Sequence, residues 1–108
     1  MDIELTIKER IVLLQILKGM QSDIITMRVM KNVMDDIGFD SAELKEIGME
    51  YDSDTGETHW KESSESTRNF TIDEIIFNKV KQVFVKKNEA NTITIDDLDL
   101  YEKFVDVV

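Results

Sequence analysis

One stretch constrains this chain more than any other: Thr71 to Lys87, TIDEIIFNKVKQVFVKK. It predicts a helix with both ends marked. Thr71 is placed to cap the first free N–H groups, and Glu74, three residues on, completes a capping box. Asp73 and Glu74 fall at the positive end of the helix dipole, Lys86 and Lys87 at the negative end. Between them Ile76, Val80, Val83 and Phe84 form one apolar stripe, with Ile75, Phe77 and Val85 on its flanks. A stripe that wide belongs to a helix touched by neighbours on more than one side. The expectation is a central core helix; the competing reading is a partner-binding face.

A chain of 108 residues is one domain by its length, residues 1–108, with room for a single modest core. Hydrophobic residues make up 42% and charged residues 33%, which places it among folded rather than disordered chains. No window approaches the ~18 consecutive apolar residues of a membrane span. MDIELTIKER carries acidic residues where a signal peptide needs basic ones. With no cysteine there is no disulfide, thiolate metal site or Cys nucleophile. A cytoplasmic protein is the simplest expectation.

Charge is distributed unevenly. The total is −10, and residues 35–67 hold 11 acidic and 2 basic side chains. Residues 68–88 reverse the balance, with 5 basic and 2 acidic. Such a total disfavours general nucleic-acid binding, whose affinity comes from Lys and Arg on phosphates. It suits solubility or a basic partner.

Around the central helix the punctuation is regular. Thr6 and Glu9 form a capping box for a helix from about Ile7 to Lys18, with Gly19 as its stop. Its face is Ile7, Ile11, Leu14 and Leu17, widened by Val12, Leu13 and Ile16. A second helix follows a Ser22 or Asp23 cap and runs to about Asp36, before Gly38. Its stripe of Met27, Met30, Met34 and Ile37 is either core or an adaptable methionine-rich surface. A short third helix, Ser41 to Ile47, is capped by Asp40 or Ser41 and stopped by Gly48.

The period then changes. Met49, Tyr51, a turn at Ser53-Asp54-Thr55-Gly56, and Thr58-His59-Trp60 predict a β-hairpin. Lys61 to Asn69 is polar and Ser-rich and reads as a mobile loop. Phe70 and Ile72 are candidates for a short third strand. The last helix is Asp96 to Val105, with Thr94 and Asp97 repeating the capping pattern and Leu98, Tyr101, Phe104 and Val105 as its apolar face. The fold class expected is mainly helical α+β: about five helices and one small hairpin or short antiparallel sheet.

Over residues 5–61 the order helix, helix, helix, hairpin resembles the winged-helix layout. In that family the third helix usually enters the DNA major groove. Here that helix is Ser41-Ala42-Glu43-Leu44-Lys45-Glu46-Ile47, and the wing adds Glu50, Asp52, Asp54 and Glu57. Those acids depart from a DNA reader, so the resemblance implies protein contact rather than DNA contact. Leu5-Thr6-Ile7-Lys8-Glu9-Arg10-Ile11, Thr58-His59-Trp60 and Leu100-Tyr101-Glu102-Lys103-Phe104-Val105 resemble small accessory proteins of phages, prophages and related bacterial elements. That resemblance implies a phage-type accessory protein and carries no activity or site.

Candidate chemistry is sparse. From Asp52, an EF-hand register puts Gly56 at position 5, Glu57 at 6 and Ser63 at 12, so the calcium shell does not close. Asp54-Thr55-Gly56 spells an aspartic-protease triplet in polar, acidic surroundings that do not suit a buried dyad. His59 is the single histidine, too few ligands for zinc. Tyr51 and Trp60 are expected either to oppose one another across the hairpin or to serve as interface anchors.

No catalytic residue, metal ligand or cofactor is assigned. The expected function is a non-enzymatic acidic protein-interaction module that binds a basic surface through Glu50, Tyr51, Asp52, Asp54, Glu57 and Trp60. The alternatives are a winged-helix-like transcription regulator, a structural or assembly protein that self-associates, and an enzyme with buried carboxylates.

Overall fold

The first residues form a strand. In the computed structural model, which describes residues 1–48, 50–60 and 67–105 (backbone alone at 47, 51 and 58), β1 spans Asp2–Leu5. Ile3 and Leu5 turn inward while Asp2 and Glu4 face solvent, the period-two alternation of a half-buried strand. Its partner is β4, Arg68–Thr71, antiparallel, with Ile3 opposite Phe70 and Asp2 opposite Thr71. Met1 and Ile72 extend the ladder through two backbone hydrogen bonds of 2.8 and 2.9 Å.

The sequence reading assigned no element before the first helix, and Asp2–Leu5 is a strand there; the candidate strand at Phe70 forms and pairs with it. Arg68 and Asn69 therefore belong to β4, not to a loop; residues 61–66 of the expected loop lie outside the described residues.

Between the two strands run α1 (Ile7–Lys18), α2 (Ile24–Ile37), α3 (Ser41–Ile47), β2 (Glu50–Asp52) and β3 (Glu57–His59); α4 (Glu74–Glu89) and α5 (Ile95–Phe104) follow. The protein is mainly helical α+β. Four helices reach ten residues, one fewer than expected, because α3 amounts to seven residues.

Caps explain most boundaries. Thr6 Oγ1 accepts from Glu9 N at 3.2 Å and Thr6 N donates to Glu9 Oε1 at 2.9 Å, closing the box on α1. Asp23 and Asp40 cap α2 and α3 through Thr26 N and Glu43 N. Thr94 and Asp97 close the second box, on α5. Gly48 ends α3 with φ 64°, a left-handed conformation that glycine adopts without a Cβ penalty.

The central helix starts later than its sequence pattern predicts. Asp73, not Thr71, is the cap, with Oδ1 accepting from Ile75 N at 2.9 Å. Thr71 is occupied in β4, where its hydroxyl donates to Asp2 Oδ1 at 2.8 Å.

α4 lies between α2 and α5. Ile76, Val80 and Phe84 are fully buried and Phe77 nearly so. Phe77 stacks on Phe104 at 4.6 Å between centroids, and Phe84 meets Tyr101 edge-on at 6.2 Å. Two flank residues stay outside: Ile75 is 58% exposed and Val85 36%. From α2, Met30, Val33 and Ile37 complete the core, with Met27 and Met34 packed against it, so the methionine stripe is core.

The faces of α1 and α5 are rotated from the expected ones. α1 turns Ile7, Arg10, Leu13 and Leu17 inward and leaves Ile11 and Leu14 half-buried. α5 buries Leu100 and Phe104, while Leu98 is 43% exposed.

Candidate functional site

Four acids of the central segment, Glu50, Asp52, Asp54 and Glu57, fall on the hairpin. In the β2–β3 register Glu50 faces His59, Tyr51 faces Thr58 and Asp52 faces Glu57. Residues directly opposite share a side of the ribbon, and so do residues two apart along a strand. Glu50, Asp52, Glu57 and His59 therefore lie on one side. Glu50, Glu57 and His59 are exposed and Asp52 is half-buried. Two carboxylates directly opposite, Asp52 and Glu57, repel one another and weaken the ribbon.

The turn holds this arrangement. Asp52 Oδ1 accepts from Asp54 N at 2.9 Å and Thr55 N at 3.4 Å, a side-chain substitute for a backbone turn. Those N–H bonds, the Asp54 bond foremost, hold the Asp52 carboxyl below its usual range. Gly56, at φ 73°, takes the left-handed position before β3, and its N–H donates to Asp52 O at 2.8 Å. Asp54 projects from the turn into solvent. Glu57 Oε2 lies 3.5 Å from His59 Nε2, an exposed contact that becomes an ion pair when the imidazole is protonated.

The register does not set Tyr51 directly opposite Trp60. A four-residue turn between Asp52 and Glu57 pairs Tyr51 with Thr58, and Trp60 lies beyond the last paired residue. Trp60 is half-buried; of Tyr51 the backbone alone is described.

A second constellation escaped the sequence reading. Arg10 is 2% exposed and sits where α1, the end of α2, α3 and β4 meet. Its Nε donates to Ile37 O and its Nη2 to Gly38 O, both at 2.9 Å. Two further bonds reach Glu43, and the guanidinium lies 3.9 Å from the Phe39 ring centroid. Arg68 approaches Glu43 Oε2 at 3.7 Å from the exposed side. The Arg10 hydrogen bonds hold the Glu43 carboxyl below its usual range, against the opposing effect of burial. The signal was available: position 10 falls three residues after Ile7 and three before Leu13, inside the buried stripe. Arg10 anchors structure; it is not free to meet a ligand.

Two more ion pairs tie α5 to the body. Lys103 Nζ lies 2.7 Å from Glu9 Oε1, and Lys87 Nζ 3.0 Å from Asp97 Oδ2. Burial pushes the Asp97 carboxyl up, but the Lys87 bond and the Thr94 cap bonds outweigh it, and the net direction is down. Beside this pair an open groove of about 550 Å³ runs past Val12, Ile16, Met20 and Val83.

Among the described residues no group of three or more histidine and acidic side chains is arranged to hold a metal ion. No helix among them is long and apolar enough to cross a membrane. No family model, curated protein or solved structure matches the chain.

Proposed function

We propose that this chain is a non-enzymatic, acidic protein-interaction module that meets a basic surface on a partner protein through its β2–β3 hairpin. The phage-type accessory set is the setting its sequence resemblance implies. The observation that carries the reading is the register: it gathers Glu50, Asp52 and Glu57 on one side of the ribbon, with Asp54 at the tip. Charge concentrated in this way steers a basic partner and fixes register more than it adds affinity.

DNA contact through α3 is disfavoured by the same geometry. Glu43 faces Arg10, Glu46 is exposed, and Lys45 is the one base on the helix.

The test is capture from nuclease-treated lysate of the source cell, comparing wild type with Glu50→Gln/Asp54→Asn/Glu57→Gln. Asp52 is left in place because it holds the turn. A partner retained at about 100 mM salt, released at about 500 mM, and lost by the triple variant is the expected result. Capture by the variant equal to wild type would sink the reading.

A further inference from the structure

The outward side of α4 is a second charged surface, of opposite sign. At helical spacing Ile75, Asn78, Gln82 and Val85 form an exposed strip, with Lys81 on one flank and Lys79 and Lys86 on the other. Among the described residues these three lysines enter no ion pair, unlike Lys87, which is held by Asp97. The face is shaped as well as charged: a shallow groove of about 460 Å³ runs over Lys81, Gln82, Val85 and Lys86, with Glu89 at its C-terminal end. The face is partly apolar, since Ile75 and Val85 are exposed, and the three lysines flank it.

We propose that this α4 face takes the acidic hairpin of a second copy of the chain. The proposal rests on the hairpin being a contact surface, and names its partner. Beyond their own ladder, neither β2 nor β3 packs extensively on another element among the described residues, so each molecule presents both halves of the contact. Glu50, Asp54 and Glu57 on one copy complement Lys79, Lys81 and Lys86 on the next.

Net charge does not forbid the contact. At about 0.1 M salt the Debye length is about 10 Å, so charges a body-width apart are screened while facing charges are not. The body measures 33 × 31 × 29 Å. A hairpin against one helix face buries little area, which places the contact in the weak, fast-exchanging class. It is also head-to-tail. Each copy keeps one free hairpin and one free α4 face, so the assembly closes into a ring or continues as a chain.

Sedimentation equilibrium at about 0.5 mM protein, in about 100 mM and about 500 mM salt, tests this. Wild type should exceed its 12.6 kDa monomer mass at low salt and return to it at high salt. Glu50→Lys/Glu57→Lys and Lys81→Glu/Lys86→Glu should each associate at least about tenfold more weakly. An equimolar mixture of the two should associate again, because each reversed surface meets an opposite one. Circular dichroism confirms that the variants are folded, and Lys81→Gln/Lys86→Gln gives a milder check on the same face. A wild type that stays monomeric overturns the proposal and leaves the hairpin reading to the capture experiment. Association that survives in Lys81→Glu/Lys86→Glu but not in Glu50→Lys/Glu57→Lys overturns the α4 face while the hairpin reading stands.

Discussion

Arg10 and Glu43, 33 positions apart, meet as a two-pronged pair: Nη1 donates to Oε2 at 2.8 Å and Nη2 to Oε1 at 2.9 Å. The same guanidinium takes the Ile37 and Gly38 carbonyls, which α2 leaves free where it ends. One side chain thus joins α1 to the α2–α3 corner. Its side chain is 3% exposed, so four hydrogen bonds satisfy a charge that water cannot reach.

Replacing Arg10 tests that role. Arg10→Lys keeps the charge but not the planar fork, and should lower unfolding free energy in urea by about 2–4 kcal/mol. Arg10→Met also leaves Glu43 and two carbonyls without their donor, and should cost about 3–5 kcal/mol. A loss under about 1 kcal/mol for Arg10→Met would show that the corner is held by other contacts.

Acid should weaken the fold in a defined window. Glu43 and Asp97 have carboxyls lowered from ordinary values of 4.5 and 3.8. A lowered folded-state pKa gives stability that is complete above the unfolded value and is lost as pH falls through the folded one. The urea midpoint should therefore hold between about pH 7 and 5 and drop from about pH 4.5 downward. Glu43→Gln should be less stable than wild type at neutral pH, with the gap narrowing towards pH ~3.

Glu9 and Lys103 should show strong coupling. Glu9 is 5% exposed, its Oε1 takes both Thr6 N and Lys103 Nζ, and its Oε2 accepts no hydrogen bond among the described residues. Lys103→Met strands a buried carboxylate and should cost about 2–3 kcal/mol. Adding Glu9→Gln removes the stranded charge, so the double variant should be more stable than Lys103→Met alone. A double-mutant cycle that sums to additivity would contradict this.

The start of α4 separates two local readings. Asp73→Ala removes the observed cap and should cost about 1 kcal/mol. Thr71→Ala removes one exposed hydrogen bond to Asp2 and should cost about 0.5 kcal/mol. Thermal or urea denaturation of the pair decides the order; a larger loss at Thr71 would return the cap to that residue.

How far the sequence was legible follows from the range of each interaction. Thr6 with Glu9 and Thr94 with Asp97 were readable because a capping box spans three residues. The hairpin was readable because Gly56 marks its turn. The same three-residue logic failed at Thr71, whose partner was Asp2, 69 positions away. It failed again for Tyr51 and Trp60, since turn length, not residue type, decides which positions face each other. Of the candidate site, the acidic character of Glu50, Asp52, Asp54 and Glu57 was visible in the sequence; their shared side, and Asp52's duty in the turn, were not.

Capping residues, apolar periodicity and glycine stops, all written within a few neighbouring residues, determined by themselves that this chain is mainly helical, where α1, α3 and α5 lie, and that its acids concentrate between two helical halves. The tertiary structure alone decided that Asp2–Leu5 is a strand, that it pairs with Arg68–Thr71, that Arg10 is the buried joint of the α2–α3 corner, and that α4 keeps a lysine-flanked side in solvent. Each of those depends on residues distant in the chain meeting at hydrogen-bond distance, and a local pattern carries no record of which distant residue will arrive.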